Sequence, residues 1–520
     1  MNRTTNRPIK IMELLERNSG VYNLKIQNIP IWWFIRIRFY AQLFDFLQQK
    51  KGNKKLFQNS NIPLKKIVTH NWMGCGIFLL RSLISLIRIT KIKQKSIMFL
   101  SYPDNFRGKE DVFIGPIYQR LSDKSINIEG MSLKKQNFYS FLFRKNRIFF
   151  DWAILFSILK NYFRLGKSPK IDNWDIFEKR CKEINSGIVP SEWLLKTVKE
   201  LIISNVKKVF IQLKAAEIIL KKFKPKVIVE TVSYNSGTVA LNLIAKKQNI
   251  PIVELQHGLI AKLDIDYGYF LPSDYTGEKP LPDKILVHGE ASEKAILGAG
   301  NAFLPENIIG TGFPRLSNFL KEIQSKKEFI WKRVRKKLSI DDNIFLVAVT
   351  SQITTNNYLS QFFEKTIPLL KEDIVICIKL HPLETENWKL VYGNIANHPQ
   401  VRVVTDNSIG LYNLLIASDI HTTVYSTTFL ECLALGVPNI IIKGQGYVDI
   451  LELVHQGEII MVDTAEEFIS ELNKLRKDSK YREAIIEKGK EISNYFFAQK
   501  KSPEELIIME IMKYVKRFSD

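Results

Sequence analysis

Residues 227–257, VIVETVSYNSGTVALNLIAKKQNIPIVELQH, decide the fold. The stretch opens on an apolar, β-branched run from Val227 to Thr231 (VIVET). Apolar residues at helical spacing follow from Thr238 to Gln248, and a second apolar run, IVELQ, spans Ile252 to Gln256. Parallel neighbours need a crossover of a dozen or more residues, usually a helix, so this is a strand–helix–strand unit of a parallel sheet. The Val/Ile runs are continuous rather than alternating, the pattern of strands covered on both faces.

Outward from this unit the same rhythm continues. Towards the C-terminus lie KILVH (Lys284 to His288) and the short run Ile308 to Gly310. Towards the N-terminus lie a long helical pattern from Trp193 to Lys222 and the run SIMFLS from Ser96, closed by Tyr-Pro-Asp. The stretch from Lys321 to Lys337 is charged, shows no strand pattern, and reads as a largely helical link. Beyond it the alternation restarts, with strands expected at Ile344 to Thr350, Ile374 to Leu380, Val401 to Val404, Ile420 to Val424, Pro438 to Ile442 and Ile459 to Val462. The expectation is α/β, with two Rossmann-like doubly wound parallel sheets and a cleft between them. The expected regions are a helical, aromatic and basic part at 1–94, an acceptor domain at 95–325, a donor domain at 340–480, and C-terminal helices at 481–520 that return to the N-terminal domain.

The chain has 520 residues, 45% of them hydrophobic, and carries 76 Lys+Arg against 53 Asp+Glu, a formal net charge of +23. An excess of that size fits nucleic acid, an anionic membrane surface or an anionic substrate. Zinc-finger spacing, RNP-like aromatic strands and basic heptads are missing, so no nucleic-acid partner is expected. Cys75, Cys181, Cys377 and Cys432 are scattered, without CxxC or Cys/His clustering, and read as buried reduced thiols. The first ten residues are polar, and no signal peptide is expected.

Three stretches bear on membranes. WMGCGIFLLRSLISLIRI, from Trp72 to Ile89, contains Arg81 and Arg88. Each would cost about 2.5–3.5 kcal/mol at mid-bilayer, so an interfacial helix fits better than a spanning one. A second apolar and basic region runs from Phe138 to Lys167. IPIWWFIRIRFY, from Ile29 to Tyr40, faces lipid, faces an acceptor, or buries a large face. Core helices with solvated charges are the plainer reading of the first two. Peripheral attachment at the inner face of the cytoplasmic membrane is the expected localisation.

Ligands of open parallel sheets bind at the carboxyl ends of the strands, so the polar residues just after the apolar runs matter most. Gln256-His257-Gly258 follows IVEL; a histidine there serves as a general base or meets a phosphate, and the glycine permits a tight turn. Lys379-Leu380-His381-Pro382 follows IVICI; Lys379 and His381 lie two apart on a strand, and Pro382 fixes the exit. Tyr425-Ser426-Thr427-Thr428 places three hydroxyls ahead of a helix, an anion-binding arrangement. Thr428 and Glu431 equally fit a capping box, and Glu431 could instead accept from a ribose hydroxyl. Gly312 and Arg315, in GTGFPR, and Gly444 and Gly446, in GQG, mark further loops at the strand ends. Asp264-Ile265-Asp266 has the spacing of a metal-binding acidic pair but follows no clear strand, so no metal or cofactor is expected.

KLHP, followed some 40 residues on by SDIHTTVYSTTFLECLALGVPNII, resembles the C-terminal half of bacterial capsule and teichoic-acid transferases. These include the CDP-glycerol glycerophosphotransferases and the sialyl- and Kdo-transferases with paired HP and Ser-Ser/Thr motifs. ELQHGL and LVHGE…GTGFPR resemble the N-terminal half of the same group, and the resemblance runs from Val227 to Leu475. It implies a GT-B fold, donor-phosphate contacts from His381, Ser426 and Thr427, and a catalytic role for His257. The paired acidic residues beside glycine of the sialyltransferases have no counterpart. The leading expectation is a metal-independent glycosyltransferase that moves a sugar from a nucleotide donor to a surface glycan or lipid-linked glycan. The alternatives are a CDP-polyol phosphate transferase, a non-enzymatic scaffold and a sugar-nucleotide epimerase.

Overall fold

The computed structural model describes residues 6–49, 72–92, 95–102, 105–107, 110–129, 147–161, 170–184, 187–261, 264–381, 384–385, 387–405, 408–444, 459–498, 500 and 502–517. The chain divides into two compact units. The first is Met1–Val287, Glu293–Thr311 and Glu504–Asp520; the second is His288–Ser292 and Gly312–Pro503.

The first unit is built on a seven-stranded parallel sheet of β1 (Ile97–Ser101), β2 (Ser125–Glu129), β3 (Arg147–Phe149), β4 (Val227–Glu230), β5 (Ile252–Leu255), β6 (Lys284–Val287) and β7 (Ile308–Gly310). Their order across the sheet is β7-β6-β5-β4-β1-β2-β3. The order reverses beside β1 and β4, which makes a doubly wound sheet with its switch point there. Every residue of β1, β2, β4 and β5 is buried, as strands covered on both faces require.

Helices of this unit are α1 (Asn6–Asn18), α2 (Trp32–Gln49), α3 (Trp72–Thr90), α4 (Gly115–Arg120), α5 (Asp151–Asn161), α6 (Trp174–Glu183), α7 (Ser191–Phe223) and α8 (Ser236–Lys247). The N-terminal helices belong to its core. Trp32, Trp33, Ile35 and Phe39 are buried in one cluster with Leu201, Ile228 and Leu241. The aromatic face of IPIWWFIRIRFY therefore packs inward, which corrects the lipid-facing reading of that motif. Its arginine is buried too: Arg36 Nε lies 2.6 Å from Glu16 Oε1.

The second unit holds a six-stranded parallel sheet of β8 (Phe345–Thr350), β9 (Ile374–Lys379), β10 (Val401–Val404), β11 (Ile420–Thr423), β12 (Asn439–Ile442) and β13 (Ile460–Val462), in the order β10-β9-β8-β11-β12-β13. α9 (Glu290–Ala299) has its first three residues in this unit and the rest in the first; the helices wholly of the second unit are α10 (Pro314–Leu338), α11 (Asn356–Thr366), α12 (Trp388–Ala396), α13 (Leu411–Ala417), α14 (Thr428–Ala434), α15 (Ala465–Lys477) and α16 (Ser479–Phe496). The charged stretch expected as a link is α10, which packs on α13 as part of this unit. The C-terminal helices divide. α16 packs on α14, whereas α17 (Pro503–Arg517) sets Ile507, Ile511 and Val515 against β1, β4 and β5.

Candidate active site

All strands of each sheet run the same way, so the turns at their carboxyl ends gather along one edge. In the second unit β9, β8, β11 and β12 lie side by side. The KLHP and YSTT turns leave β9 and β11 at the same edge, with the turn after β8 between them. Side chains tie these turns together. Ser351 Oγ donates to Glu384 Oε1 at 2.8 Å and lies 2.6 Å from the Tyr392 hydroxyl. The other carboxylate oxygen of Glu384 accepts from the His381 backbone N–H at 2.7 Å. One buried carboxylate thus anchors the KLHP turn to its neighbour. On the other side Thr354 and Tyr425 share a short hydroxyl–hydroxyl bond, and the Tyr358 hydroxyl donates to the Lys443 carbonyl at 3.0 Å.

Beneath this edge the sheet is locked by a histidine. His421 is fully buried, with Nε2 2.8 Å from Thr350 Oγ1 and Nδ1 2.5 Å from Asn439 Oδ1. Burial pushes its pKa down to about 4, only partly offset by Asn439, so it is neutral and joins three strands.

The YSTT turn differs from a capping box. α14 starts at Thr428, and its cap residue Thr427 makes no side-chain cap bond. Ser426 Oγ accepts from the Thr428 N–H at 3.4 Å and donates to Thr428 Oγ1 at 3.0 Å, while Thr427 is exposed. Glu431 points inward rather than back to the cap. One of its oxygens is buried without a hydrogen-bond partner. Burial raises its pKa, opposed by Tyr412 and Arg315. Arg315 lies over the Tyr412 ring at 4.6 Å.

Two loop glycines are required sterically. Gly312 has φ +87°, and a Cβ there would meet the Ala498 carbonyl at 2.9 Å; a Cβ on Gly444 would meet Tyr358 Cε1 at 2.6 Å. Gly258 is different: its φ is not positive and a Cβ would meet nothing within 4 Å, so the chain would accept a larger residue. Pro382 and Gly446 lie outside the described residues.

In the first unit His257 follows β5. Gln256 closes the turn by donating from Nε2 to the Gly258 carbonyl at 2.6 Å. The Tyr234 hydroxyl stands 3.5 Å from His257 Nε2, and Phe113 meets the imidazole edge-on at 6.2 Å. Burial lowers the His257 pKa below its ordinary 6.5, partly countered by the Thr231 backbone. It is therefore a neutral imidazole at pH 7, the form a general base needs.

Carboxylates crowd the same edge. Glu230 and Glu254 are direct partners on β4 and β5, and both are fully buried. Glu230 accepts from Asn242 at 2.9 Å and Glu254 from the Tyr267 hydroxyl at 2.7 Å. Burial pushes Glu254 up to about 7 and raises Glu230 well above the usual carboxylate range, with Glu254 as its second cause. Asp266 is pushed up to about 7 by burial and by Asp264, opposed by Arg36 and Tyr234. Tyr234 thus stands between His257 and Asp266. The N-terminal helices hold the segment that carries Asp266: Arg36 Nη1 donates to the Ile265 carbonyl at 2.6 Å and Nη2 to that of Gly268, while Glu16 accepts from the Phe270 N–H at 3.0 Å.

Sequence reading singled out His257, His381 and the hydroxyl turn, weighed Asp266 only as half of an acidic metal-binding pair, and passed over Tyr234 and Glu384. The available signal was polarity out of place. A glutamate closes VIVE and another sits in IVEL, each in an otherwise apolar buried strand.

The sequence pattern of the CDP-Glycerol:Poly(glycerophosphate) glycerophosphotransferases matches residues 177–497. The chain belongs to this family. Its members' pattern spans both sheet edges, and it makes the chain an enzyme of the glycerophosphotransferase family with a GT-B-like pair of parallel-sheet units. Of the two transferase activities the sequence left open, polyol-phosphate transfer is the one the family favours over sugar transfer. No curated protein matches the chain in sequence. Among solved structures, the wall teichoic acid polymerase TagF is similar with 14% identity, a TM-score of 0.49, and coverage of 88% of this chain and 96% of that one. The UDP-GlcNAc 2-epimerase from Neisseria meningitidis has 13% identity, a TM-score of 0.47, and coverage of 80% and 99%. Anabaena HepE, in complex with UDP and glucose, has 13% identity, a TM-score of 0.47, and coverage of 81% and 100%.

Proposed function

We propose that this chain transfers a polyol phosphate, glycerol phosphate first among them, from its CDP ester to the growing end of a phosphodiester polymer. In this reading the acceptor's terminal hydroxyl oxygen attacks the phosphorus that bears the glycerol. The new P–O bond forms as the pyrophosphate P–O bond breaks, and CMP leaves with the bridging oxygen. The hydroxyl proton passes to the neutral His257 imidazole. The phosphates of the donor are met by His381, Lys379, Ser426 and Thr427, while Glu431 takes a ribose hydroxyl. Such positioning and charge stabilisation supply most of the catalysis in phosphoryl transfer.

The observation that carries the reading is the shared edge: KLHP and YSTT, far apart in sequence, flank one turn of one sheet. The test is donor choice. Purified full-length chain with a short phosphodiester primer should release CMP from CDP-glycerol and lengthen the primer. Use of a UDP-, GDP- or CMP-sugar with no reaction of CDP-glycerol would return the case to sugar transfer, and turnover of a UDP-sugar without acceptor would make it an epimerase.

The acceptor, in the same reading, is carried at an anionic membrane surface. No described helix is long and apolar enough to cross a membrane. α3 is instead built inside out. Arg81, Ser82 and Ser85 are buried, with Arg81 Nη2 3.1 Å from Asp151, while Leu79, Leu83 and Ile87 are 48%, 57% and 62% exposed. Leu159 of α5, the helix α3 packs on, is exposed as well. The sequence adjoining the two helices, at 50–71, 91–95, 134–147 and 160–170, is rich in Lys and Arg and holds no Asp or Glu. Each basic residue close to an anionic leaflet adds about 1 kcal/mol. Leu83→Asp with Ile87→Asp should abolish co-sedimentation with phosphatidylglycerol vesicles; unchanged sedimentation removes this face from the account.

A further inference from the structure

The second unit has a groove of about 610 Å³ between α10 and the start of α13. Its floor and walls have a definite chemistry. Arg315, Phe319, Lys326, Phe329 and Arg333 line it from α10, and Tyr412 lines it from α13. On a helix of 3.6 residues per turn, offsets of 4, 11, 14 and 18 from Arg315 fall on one face. The groove therefore follows the helix rather than crossing it.

Each end holds an arginine laid on an aromatic ring. Arg315 lies over Tyr412 at 4.6 Å, and Arg333 lies over Phe329 at 5.7 Å. A guanidinium stacked in this way is pre-oriented, and its planar N–H edge matches a phosphate bidentately. Phe319 packs on Tyr412 with ring centroids 5.0 Å apart, which gives the groove an apolar stretch as well. Lys326 lies between the two ends, 3.3 Å from Glu322, the one acid on the groove wall. Phe329 is 64% exposed, far more than a ring of that size needs to be for packing alone. The whole helix is basic: nine Lys or Arg against Glu322 and Glu328. An anionic ligand is therefore favoured along its length.

The spacing says what kind of anion. Eighteen residues of α-helix separate the two arginines, about 27 Å along the axis. A single nucleotide cannot reach both, whereas a chain of repeated phosphodiesters with apolar carbons between them can. The Arg315 end adjoins the donor turn, because Tyr412 and Arg315 are the neighbours of Glu431 on α14.

We infer that this groove binds a polyanionic phosphodiester polymer and holds the acceptor chain along α10 of the donor-binding unit. The inference rests on the proposed transfer to a phosphodiester polymer and locates that polymer on the fold. It gives the enzyme a reason to favour longer acceptors, since a longer chain reaches Lys326 and then the far arginine.

The test is binding by the full-length chain to synthetic oligo(glycerol phosphate) of increasing length, without donor, so that no turnover is needed. Affinity should rise with length and level off once the oligomer spans the groove. Arg333→Gln should cost roughly tenfold for the long oligomers, leave the shortest unaffected, flatten the salt dependence, and leave CDP binding as it was. Arg333→Lys should restore part of the loss, since charge returns without the fork. Arg333 is exposed, and an unchanged melting temperature checks that its variants fold. Length-independent affinity, an Arg333→Gln variant that binds long oligomers like the parent, or tighter binding of a single-stranded RNA of equal charge would overturn the inference. If CDP-glycerol proves not to be the donor while the length and Arg333 effects persist, the proposed function fails and the groove stands. If transfer occurs without those effects, the groove alone fails.

Discussion

The edge that carries His257 and the edge that carries His381 are made of different materials. Around His257 lie Glu230, Glu254, Asp264 and Asp266, all held towards the protonated form by burial, with Tyr234 between one of them and the imidazole. Around His381 lie hydroxyls, a single anchoring carboxylate on Glu384, and a buried neutral histidine that binds strands. Two histidines that follow similar apolar runs are thus given opposite surroundings. In the proposed reading the first edge moves a proton and the second, with its hydroxyls, holds an anion still.

The comparison can be broken at several points. The largest effect expected is on stability. Glu254 ionises in the folded chain only near pH 7, against about 4.5 when unfolded. A raised folded pKa gives stability that is complete below the unfolded value and lost as pH rises through the folded one. The group should therefore withdraw about 3 kcal/mol between pH 4.5 and pH 7.5. Glu254→Gln, which still accepts from Tyr267, should flatten that slope in thermal unfolding across the range; an unchanged slope would mean the carboxylate is not buried as described.

Next comes the hydroxyl turn. Ser426→Ala with Thr427→Ala should weaken donor binding by roughly ten- to a hundredfold, as the loss of hydrogen bonds to a charged group does, with little change in turnover at saturating donor. A fall in turnover at unchanged affinity would move this turn to the proton-handling side.

A smaller effect concerns pH. Burial holds His257 below 6.5, so the acid limb of the turnover profile should fall below pH 6.5. A limb above that value would point to another base. The smallest effect is a contrast between glycines. Gly258→Ala should change the melting temperature by little, because its Cβ meets nothing, whereas Gly444→Ala must displace Tyr358 and should cost about 1–3 kcal/mol.

Much of this architecture was legible in the sequence because parallel strands advertise themselves. VIVE and IVEL, FLVAVT and IVICIK are continuous apolar runs that the structure places as β4, β5, β8 and β9. The turns after them were legible for the same reason. What could not be read was long-range pairing. Arg36 looks like a surface charge in an aromatic helix until Glu16 and the carbonyls near residue 268 enclose it. Arg81 looks like the polar face of α3, yet it is the buried face, because Asp151 and Glu129 come from elsewhere in the chain. Glu384 carried no motif, and its role emerges only when β8 and β9 lie side by side.

The division of labour between the two histidines is most directly measured by calorimetric titration of CDP-glycerol into His257→Ala and His381→Ala forms of the full-length chain, alongside their turnover. The account predicts that His257→Ala binds donor like the parent while turnover falls about 10²–10⁴-fold, and that His381→Ala loses donor affinity. Normal donor binding by His381→Ala, or an equal loss of affinity in both variants, would contradict it.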